Sequence, residues 1–287
     1  MSMPLVSVLT PSYNQARWLT ENIASVEAQT YERIEHIVMD GGSTDESAAI
    51  LRAAGTSVMW TSERDRGQSH ALNKAYELAQ GEIIGWLNSD DAYWDRDVVS
   101  DVVKYFTTHT EVDVVFGHAA YVNEEGLILH FFRMPPYGKG ELLRRYNYII
   151  QPAVFVRRRA LGAVLVDESF HFAMDYELWL RLAAKGIKFG RIDRVLAIDR
   201  AQRARKSMNI LHVLEEDMGR LREKYGVAGS KGSRLLAAAH AVWCRFAGLP
   251  LVWKMPERLA FSGRIDGRWS VVKRQCFTRR RNMRVGA

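Results

Sequence analysis

The fold is decided by ten residues in the first third of the chain, Glu82-Ile-Ile-Gly-Trp-Leu-Asn-Ser-Asp-Asp91. A short apolar run with β-branched and aromatic side chains predicts a buried strand. Two adjacent carboxylates follow it, and such groups repel each other unless a cation lies between them. The stretch therefore predicts a strand that delivers carboxylates to one edge of a sheet. The alternative is a solvated turn that caps a helix near Asp95.

Three similar apolar runs precede this stretch, and each also ends in polar residues. Strands are predicted over Val6–Thr10, Ile34–Met39 and Ser57–Thr61, and the helices between them over Ala16–Gln29, Asp45–Ala54 and Gln68–Ala79. Alternating strands and helices predict a parallel sheet with right-handed crossovers. Ligands bind such sheets beyond the carboxyl ends of the strands, so the four polar strand ends predict a site at that edge. The fold class is α/β.

The second half of the chain has a different pattern. It predicts a hairpin over Asp113–Arg133 that turns at Asn123–Gly126, strands over Gln151–Val156 and Phe189–Ile198, and helices over Asp175–Lys185, 207–225 and 231–247. These elements predict that a sheet core is followed by helices.

The net charge of +7 is the sum of two unlike parts. Residues 1–199 hold 20 basic and 27 acidic side chains, whereas residues 200–287 hold 20 basic and 6 acidic ones. An acidic body of −7 is thus joined to a basic end of +14. Such a split predicts a polyanionic surface as the partner of the basic end. Aromatic residues among the basic ones favour the surface of an anionic membrane, contacted through residues 200–287; the alternative is that these aromatics cover the sheet.

Cysteine content and hydropathy bear on the compartment. Cys244 and Cys276 lie late in the chain without metal-type spacing, so neither a disulfide framework nor a zinc cluster is expected. The N-terminus resembles no signal peptide, and residues 235–253 are too polar to span a membrane. A cytoplasmic protein is expected, peripheral on the inner face of the membrane if the basic end binds lipid.

Three side chains suggest chemistry when taken by themselves. Tyr13 could stack on a nucleobase, and Asp40 could accept a hydrogen bond from a base N–H; the alternatives are a rim residue and an ordinary turn residue. Asp175 lies at the N-terminus of a predicted helix, where the dipole favours a carboxylate that could act as a general base. The alternative is a solvated helix charge, with Glu177 equally solvated. Neither a Gly-x-Gly-x-x-Gly fingerprint nor a Walker A loop occurs, which disfavours Rossmann dehydrogenases and P-loop NTPases.

Six stretches occur in a characteristic order. They are Val6-Ser-Val-Leu-Thr-Pro-Ser-Tyr-Asn14, Asp40-Gly-Gly-Ser-Thr-Asp45, Asp65-Arg-Gly-Gln-Ser-His-Ala-Leu-Asn73, Trp86-Leu-Asn-Ser-Asp-Asp91, Gln151-Pro-Ala-Val-Phe155 and Met174-Asp-Tyr-Glu-Leu-Trp-Leu180. Over about residues 4–207 the chain resembles the family 2 inverting glycosyltransferases with the GT-A fold. The resemblance implies a nucleotide-diphosphate-sugar donor, a UDP-sugar being expected, a divalent cation, Mn²⁺ or Mg²⁺, and direct displacement at the anomeric carbon.

The resemblance also implies roles for individual residues. The nucleotide-sugar would contact Thr10, Pro11, Tyr13, Asp40, Asp65, Asn88 and Asp90. Asn88 stands where the family has the first Asp of its Asp-x-Asp motif, which leaves Asp90 and Asp91 as the candidates for the ribose and metal contacts, both being candidate metal ligands. Asp175 occupies the position of the catalytic base.

A second departure from the family lies after the last strand. Gln202 takes the place of the usual metal-binding His, and an amide oxygen is a weaker ligand than an imidazole. Arg203 and Arg205 are the candidates for neutralising the diphosphate instead.

The expected organisation is a catalytic domain over residues 1–207 and a helical basic region over residues 208–287. Residues 1–117 would bind the nucleotide-sugar, and residues 118–207 would bind a glycan or a lipid-linked acceptor in cell-envelope or exopolysaccharide biosynthesis. No nucleic-acid partner is expected. The alternatives are a nucleotidyltransferase, a nucleic-acid-binding or other basic surface-binding protein, and a non-catalytic binder of sugar nucleotides.

Overall fold

The structure is a computed structural model that describes residues 3–138, 147–200 and 211–227. Its strands are β1 Val6–Ser12, β2 Ile34–Asp40, β3 Met59–Ser62, β4 Ile83–Trp86, β5 Ala92–Tyr93, β6 Val114–Val122, β7 Ile128–Phe132, β8 Val154–Arg157 and β9 Phe189–Arg200. Its α-helices are α1 Ala16–Glu27, α2 Ser47–Ala53, α3 Gln68–Leu78, α4 Val98–Thr108, α5 Met174–Ala184 and α6 Leu211–Tyr225.

The first half of the chain forms the predicted parallel sheet. Strands β3, β2, β1 and β4 lie side by side in that order, and all three pairings are parallel. Every residue of β1 and β4 is buried, because α-helices cover both faces of a parallel sheet. The carboxyl ends of these strands consequently meet at one edge, as the sequence predicts.

The second half extends the same sheet with mixed pairing, in the order β4, β8, β6, β9 and β5. Strand β8 is antiparallel to both β4 and β6, whereas β6 and β9 are parallel. The predicted hairpin is confirmed as β6 and β7, and its turn closes at Gly126, whose φ of 78° favours glycine. Strand β5 pairs with β9 and so joins the residues after β4 to the far end of the sheet.

Helices on both faces complete the core. Helix α3 buries Leu72 and α4 buries Val102 in the clusters on opposite faces, and α5 buries Leu178, Trp179 and Leu182, as predicted. Helix α6 lies within the helix predicted over 207–225 and adds Leu221 to the α5 side of the core. The predicted helix over 231–247 lies outside the described residues. Among the described helices, none has the length and apolar character needed to cross a membrane.

Candidate active site

One end of the site lies where β1, β2 and β3 stop. Asp40 is 2% exposed, and its Oδ2 accepts hydrogen bonds from the Ser43 N–H (2.9 Å) and the Ser62 hydroxyl (2.6 Å). A Cβ added to Gly41 would lie only 2.8 Å from Oδ2 of Asp65. The structure therefore places the carboxylate of Asp65 against Gly41, the residue that follows Asp40 in the chain, so both predicted nucleoside-binding carboxylates lie at this edge.

The loops after β1 and β2 are bound to each other. The Asn14 N–H donates to the Ser43 hydroxyl at 2.7 Å, and the Thr44 N–H donates to Oδ1 of Asn14 at 2.8 Å. Asn14 has a φ of 53°, a left-handed conformation that Asn tolerates better than most residues. Beside it Tyr13 is 60% exposed, which leaves its ring available to stack on a ligand.

Thr10 and Pro11, also predicted to line this pocket, are both buried. Oγ1 of Thr10 lies 2.9 Å from Nε2 of His36, and burial lowers the pKa of His36 to about 3. The imidazole is thus neutral at physiological pH. The Thr10 hydroxyl thus contacts a neighbouring strand within the sheet, and its contact with a nucleotide stays a prediction.

The middle of the site is a closed ring of three side chains. The Trp86 indole N–H donates to Oδ1 of Asn88 at 2.7 Å, and Nδ2 of Asn88 donates to Oε1 of Gln151 at 2.8 Å. Nε2 of Gln151 then donates to the main-chain carbonyl of Trp86. Oδ1 of Asn88 accepts a further hydrogen bond from Gln68 at 2.8 Å.

The direction of this ring is fixed at both ends. An indole N–H can only donate and a carbonyl can only accept, so both amides have a single compatible orientation. Position 88 must therefore both accept and donate, and an ionised Asp cannot donate. Asn88 replaces the first Asp of the family motif, and its neighbours suit an amide: Trp86 supplies the donor and Gln151 the acceptor. The sequence pattern alone did not show this.

The two carboxylates after this ring lie in a structured turn. Asp91 is 3% exposed, and its Oδ1 accepts the main-chain N–H of Arg200 at 3.1 Å. Asp90 is half-buried, and its carbonyl accepts Nε of Arg200 at 3.0 Å. The alternative of a solvated turn is thus wrong for Asp91.

Arg200 is a site residue that the sequence analysis missed. It is 2% exposed, its guanidinium lies 4.3 Å from the Trp18 ring centroid, and it donates to Glu21 at 3.0 Å. A buried cation so placed fixes the Asp90–Asp91 turn and partly offsets its negative charge. The only signal in the sequence is its position at the end of the last strand.

The predicted base, Asp175, faces the same region from the N-terminus of α5. Its Oδ2 accepts Nδ2 of Asn147 at 2.9 Å, and its Oδ1 accepts the Tyr176 N–H at 2.7 Å. Burial, together with the charge of Asp175, raises the pKa of Tyr176 to about 12, so this phenol stays neutral. Asp175 is half-buried.

A cavity of about 250 Å³ extends from the ring at Asn88 to Asp175. Its wall includes Gln68, Trp86, Asn88, Asn147, Ile149, Ile150, Gln151, Pro152, His171, Phe172, Met174, Asp175 and Asp199. Asp199 was also missed. The pairing of Ala92 with Ile198 places Asp199 opposite Asp91 one residue further along the ladder, so a third carboxylate approaches the motif.

The expectation that Glu177 is solvated is wrong, because Glu177 is fully buried. It accepts hydrogen bonds from Lys224 (2.9 Å), Tyr225 (2.6 Å) and Arg181 (3.1 Å). This side chain holds α6 against α5, whereas Asp175, two residues earlier, lines the cavity.

The donor set fits a cation that is shared with a ligand. Within the described ranges no three acidic, His or Cys side chains form a metal cluster. Asp90 and Asp91 nevertheless offer oxygen ligands, and Mg²⁺ is usually held by one or two carboxylates together with substrate phosphates. Gln202, Arg203 and Arg205 lie outside the described residues, as does most of the basic region.

Comparison with protein families and with curated proteins gives a consistent result. The family model described as Glycosyl transferase family 2 matches residues 7–166. An uncharacterized glycosyltransferase of Methanocaldococcus jannaschii is 27% identical over 205 residues, which is 68% of this chain and 70% of that protein. The UDP-Glc:alpha-D-GlcNAc-diphosphoundecaprenol beta-1,3-glucosyltransferase WfaP of Escherichia coli is 29% identical over 190 residues, 65% of this chain and 73% of that protein.

Solved structures with a similar fold were also found. S. aureus TarS 1–349 in complex with UDP-GlcNAc has a TM-score of 0.59 at 17% identity, covering 85% of this chain and 73% of that one. The mannosyltransferase PcManGT from Pyrobaculum calidifontis, in complex with GDP-Man and Mn²⁺, has a TM-score of 0.53 at 18% identity, with 85% and 81% covered. A further S. aureus TarS structure has a TM-score of 0.57 at 19% identity, and the match covers 76% of this chain but only 43% of the TarS chain.

Proposed function

The chain belongs to glycosyl transferase family 2, and from this premise we propose that it is an inverting enzyme that transfers a sugar from a UDP-sugar to a hydroxyl of a glycan or lipid-linked acceptor. The likeness to TarS confirms the predicted GT-A α/β fold. The transfer would serve cell-envelope or exopolysaccharide synthesis. One observation carries the proposal: a single cavity is lined by Asn88 of the nucleotide-side motif and by Asp175 of α5.

Asp175 is the proposed general base. As the acceptor oxygen bonds to the anomeric carbon, its proton passes to a carboxylate oxygen of Asp175, and the electron pair of the breaking C–O bond leaves with the diphosphate. The helix N-terminus favours the ionised carboxylate that this step needs. The amide of Asn147, bonded to Oδ2, holds the carboxylate in place.

The donor would bind along the edge built by β1, β2 and β3. We place the uracil ring against Tyr13 and its N–H at Asp40 or at Asp65, whose carboxylate lies close to Gly41. The cross-bonded loops at Asn14 hold this edge in shape before the ligand arrives. Fewer residues then lose freedom on binding.

Negative charge develops on the departing diphosphate and must be balanced. A Mn²⁺ or Mg²⁺ ion held by Asp90 and Asp91, when bound, would supply this stabilisation as a Lewis acid. Arg203 and Arg205 are the proposed protein cations for the same charge. Because the ring requires an amide at position 88, the motif has one carboxylate fewer. We therefore expect Arg203 and Arg205 to balance a larger part of the charge on the diphosphate.

The acceptor is proposed to be lipid-linked. The name of WfaP describes an acceptor of the diphosphoundecaprenol type, and this supports the same chemical class here. We further propose that the basic region over residues 200–287 brings the enzyme to an anionic membrane surface. Deletion of residues 267–287 should then reduce flotation with anionic liposomes; unchanged flotation would exclude this segment as the anchor.

Substitution of Asp175 by Asn tests the proposed chemistry. We expect kcat for sugar transfer to fall by about 10³-fold, because removal of a general base typically costs 10²- to 10⁴-fold. The Kd for UDP should stay within about threefold, since in this proposal Asp175 contacts the acceptor hydroxyl and not the nucleotide. Glu223→Gln, an exposed change in α6, is the matched control. Transfer by Asp175→Asn at the rate of the control would remove Asp175 from this role.

A thermal-shift screen tests the donor. A ligand at 100 times its Kd stabilises the folded state by about 2.7 kcal/mol, or roughly 5 to 10 °C for a chain of this size. UDP-sugars should give this shift in the presence of Mn²⁺ or Mg²⁺, and GDP- and dTDP-sugars a smaller one. A larger shift with GDP-mannose would replace the uridine assignment and leave the family assignment intact.

A further inference from the structure

A buried carboxylate outside the cavity wall joins α6 to the segment before α5. Asp217, in the middle of α6, is 1% exposed. Its Oδ2 accepts three consecutive main-chain N–H groups, those of His171 (3.0 Å), Phe172 (2.6 Å) and Ala173 (2.9 Å). One buried carboxylate oxygen thus accepts hydrogen bonds from the three residues that precede α5.

These three N–H groups immediately precede the first turn of α5. Helix α5 begins at Met174, and Ala173 at the N-cap position has no side-chain oxygen that could cap the helix. A buried N–H without an acceptor costs about 1 to 3 kcal/mol, and a hydrogen bond to an ionised acceptor is roughly twice as strong as a neutral one. Asp217 therefore supplies, from α6, a side-chain acceptor that the N-cap residue of α5 lacks.

The opposite side of the same segment faces the cavity. His171, Phe172 and Asp175 all line it. Asp217 contacts the main chain from behind, and within the described residues it is not part of the cavity wall. The orientation of this main chain decides where the carboxylate of Asp175 points.

A second set of contacts prevents α6 from sliding. Glu177, fully buried on α5, accepts hydrogen bonds from Lys224 and Tyr225 of α6. Burial alone would lower the pKa of Lys224, but the hydrogen bond and charge of Glu177 outweigh it, so this pKa is raised. Burial and the same carboxylate raise the pKa of Tyr225 to about 12. Helix α6 is consequently fixed at the residues on both sides of Asp175.

We propose that Asp217 is a positioning residue for the transfer reaction. It belongs to α6, which lies outside residues 7–166, the part of the chain matched by the family model. Its carboxylate sets the main chain of residues 171–173 and thereby aims Asp175 at the acceptor hydroxyl. This inference rests on the proposed function of Asp175 as the base. It makes α6 a working part of the catalytic unit.

The test compares Asp217→Asn and Asp217→Ala with Glu216→Gln, an exposed acidic neighbour on the same helix, all in the full chain. Asparagine keeps an acceptor oxygen and loses the charge, whereas alanine loses both. We expect kcat to fall by about 10-fold for Asn and about 100-fold for Ala, since a misplacement of about 1 Å can cost 10²-fold. The donor KM and the Kd for UDP should stay within about threefold. The Glu216→Gln control should match the wild type.

Amide hydrogen exchange gives a second readout that does not need turnover. The amides of residues 171–173 should exchange at least 10-fold faster in Asp217→Ala, while those of β1 and β4 should be unchanged. If Asp217→Ala does not bind UDP with full stoichiometry, Asp217→Asn is scored instead.

Three results would overturn the proposal. They are an unchanged kcat in the folded variants, a loss of donor affinity in step with kcat, and unchanged exchange at residues 171–173. If the wild type transfers no sugar from any nucleotide-sugar, the proposed function fails; the exchange comparison still decides whether Asp217 fixes this main chain.

Discussion

Substitution of Asn88 by Asp would place a carboxylate at the first position of the motif over residues 88–91, and we expect it to destabilise the protein. In the ring described above, Nδ2 of Asn88 donates to Oε1 of Gln151 at 2.8 Å. A carboxylate at this position would set two acceptor oxygens against each other. Rotation of the Gln151 amide would only move the conflict, because its Oε1 would then face the carbonyl of Trp86.

The size of the effect follows from the groups involved. The lost hydrogen bond is worth about 1 kcal/mol, and one buried acceptor left without a donor costs about 1 to 3 kcal/mol more. The expected loss in the free energy of unfolding is therefore about 2 to 4 kcal/mol at pH 7, or a decrease in Tm of roughly 5 to 10 °C. Protonation of the introduced carboxyl would restore a donor, so the difference from the wild type should shrink as the pH falls toward 4.

Calorimetric unfolding of wild type and Asn88→Asp at pH 7 and pH 4, without divalent cation, measures this difference. Asn123→Asp is the matched control, because Oδ1 of Asn123 accepts two N–H groups of its turn, a role that a carboxylate can fill. Its Tm should change by less than about 2 °C. If Asn88→Asp is as stable as the control and binds Mn²⁺ more tightly than the wild type, Asn88 is simply a missing metal ligand and our reading of the ring is wrong.

Three further outcomes are expected. Gly41→Ala should weaken UDP binding about 10-fold with little change in the Tm of the free protein, because the added Cβ would displace the carboxylate of Asp65, 2.8 Å away. Calorimetric titration with UDP measures this change. An unchanged Kd would count against a nucleoside at this edge. Arg200→Lys should cost at least about 2 kcal/mol in urea unfolding, because lysine cannot keep both the stacking on Trp18 and the branched hydrogen bonds. Lowering the pH from about 7 to about 5.5 should remove about 1 kcal/mol from the free energy of unfolding through His36. Its folded pKa of about 3 lies below its unfolded value, so this stability is lost as the pH falls below about 6.5. His36→Gln should reduce the dependence of unfolding free energy on pH, and an equal dependence in both proteins would assign it to other groups.

The sequence predicts the parallel half of the sheet because its signals are local. Four apolar runs separated by amphipathic helices imply parallel strands with their carboxyl ends together, and Asp40, Asp65 and Asn88 are indeed at that edge. Asp175 is placed in the same way, since the buried positions of α5 leave it at the helix N-terminus.

The remaining parts of the site depend on partners far apart in the chain. Gln151 reaches Asn88 from 63 residues away, Arg200 reaches Asp90 from 110, and Asp217 reaches Phe172 from 45. Hydrophobic periodicity reports only which face of an element is buried. It therefore does not distinguish the buried Glu177, which has partners on α6, from a solvated helix charge.

The pairing of β5 with β9 affects the order in which parts of the protein can fold during synthesis. The turn at Asp90 and Asp91 is held by Arg200, so it cannot reach its final form until about 110 more residues have been synthesised, several seconds at ordinary rates of translation. Contacts so distant in sequence also slow folding in general. The parallel strands β1 to β4 can therefore form while the turn at Asp90 and Asp91 is still open, and this turn is completed only after β9 has been synthesised.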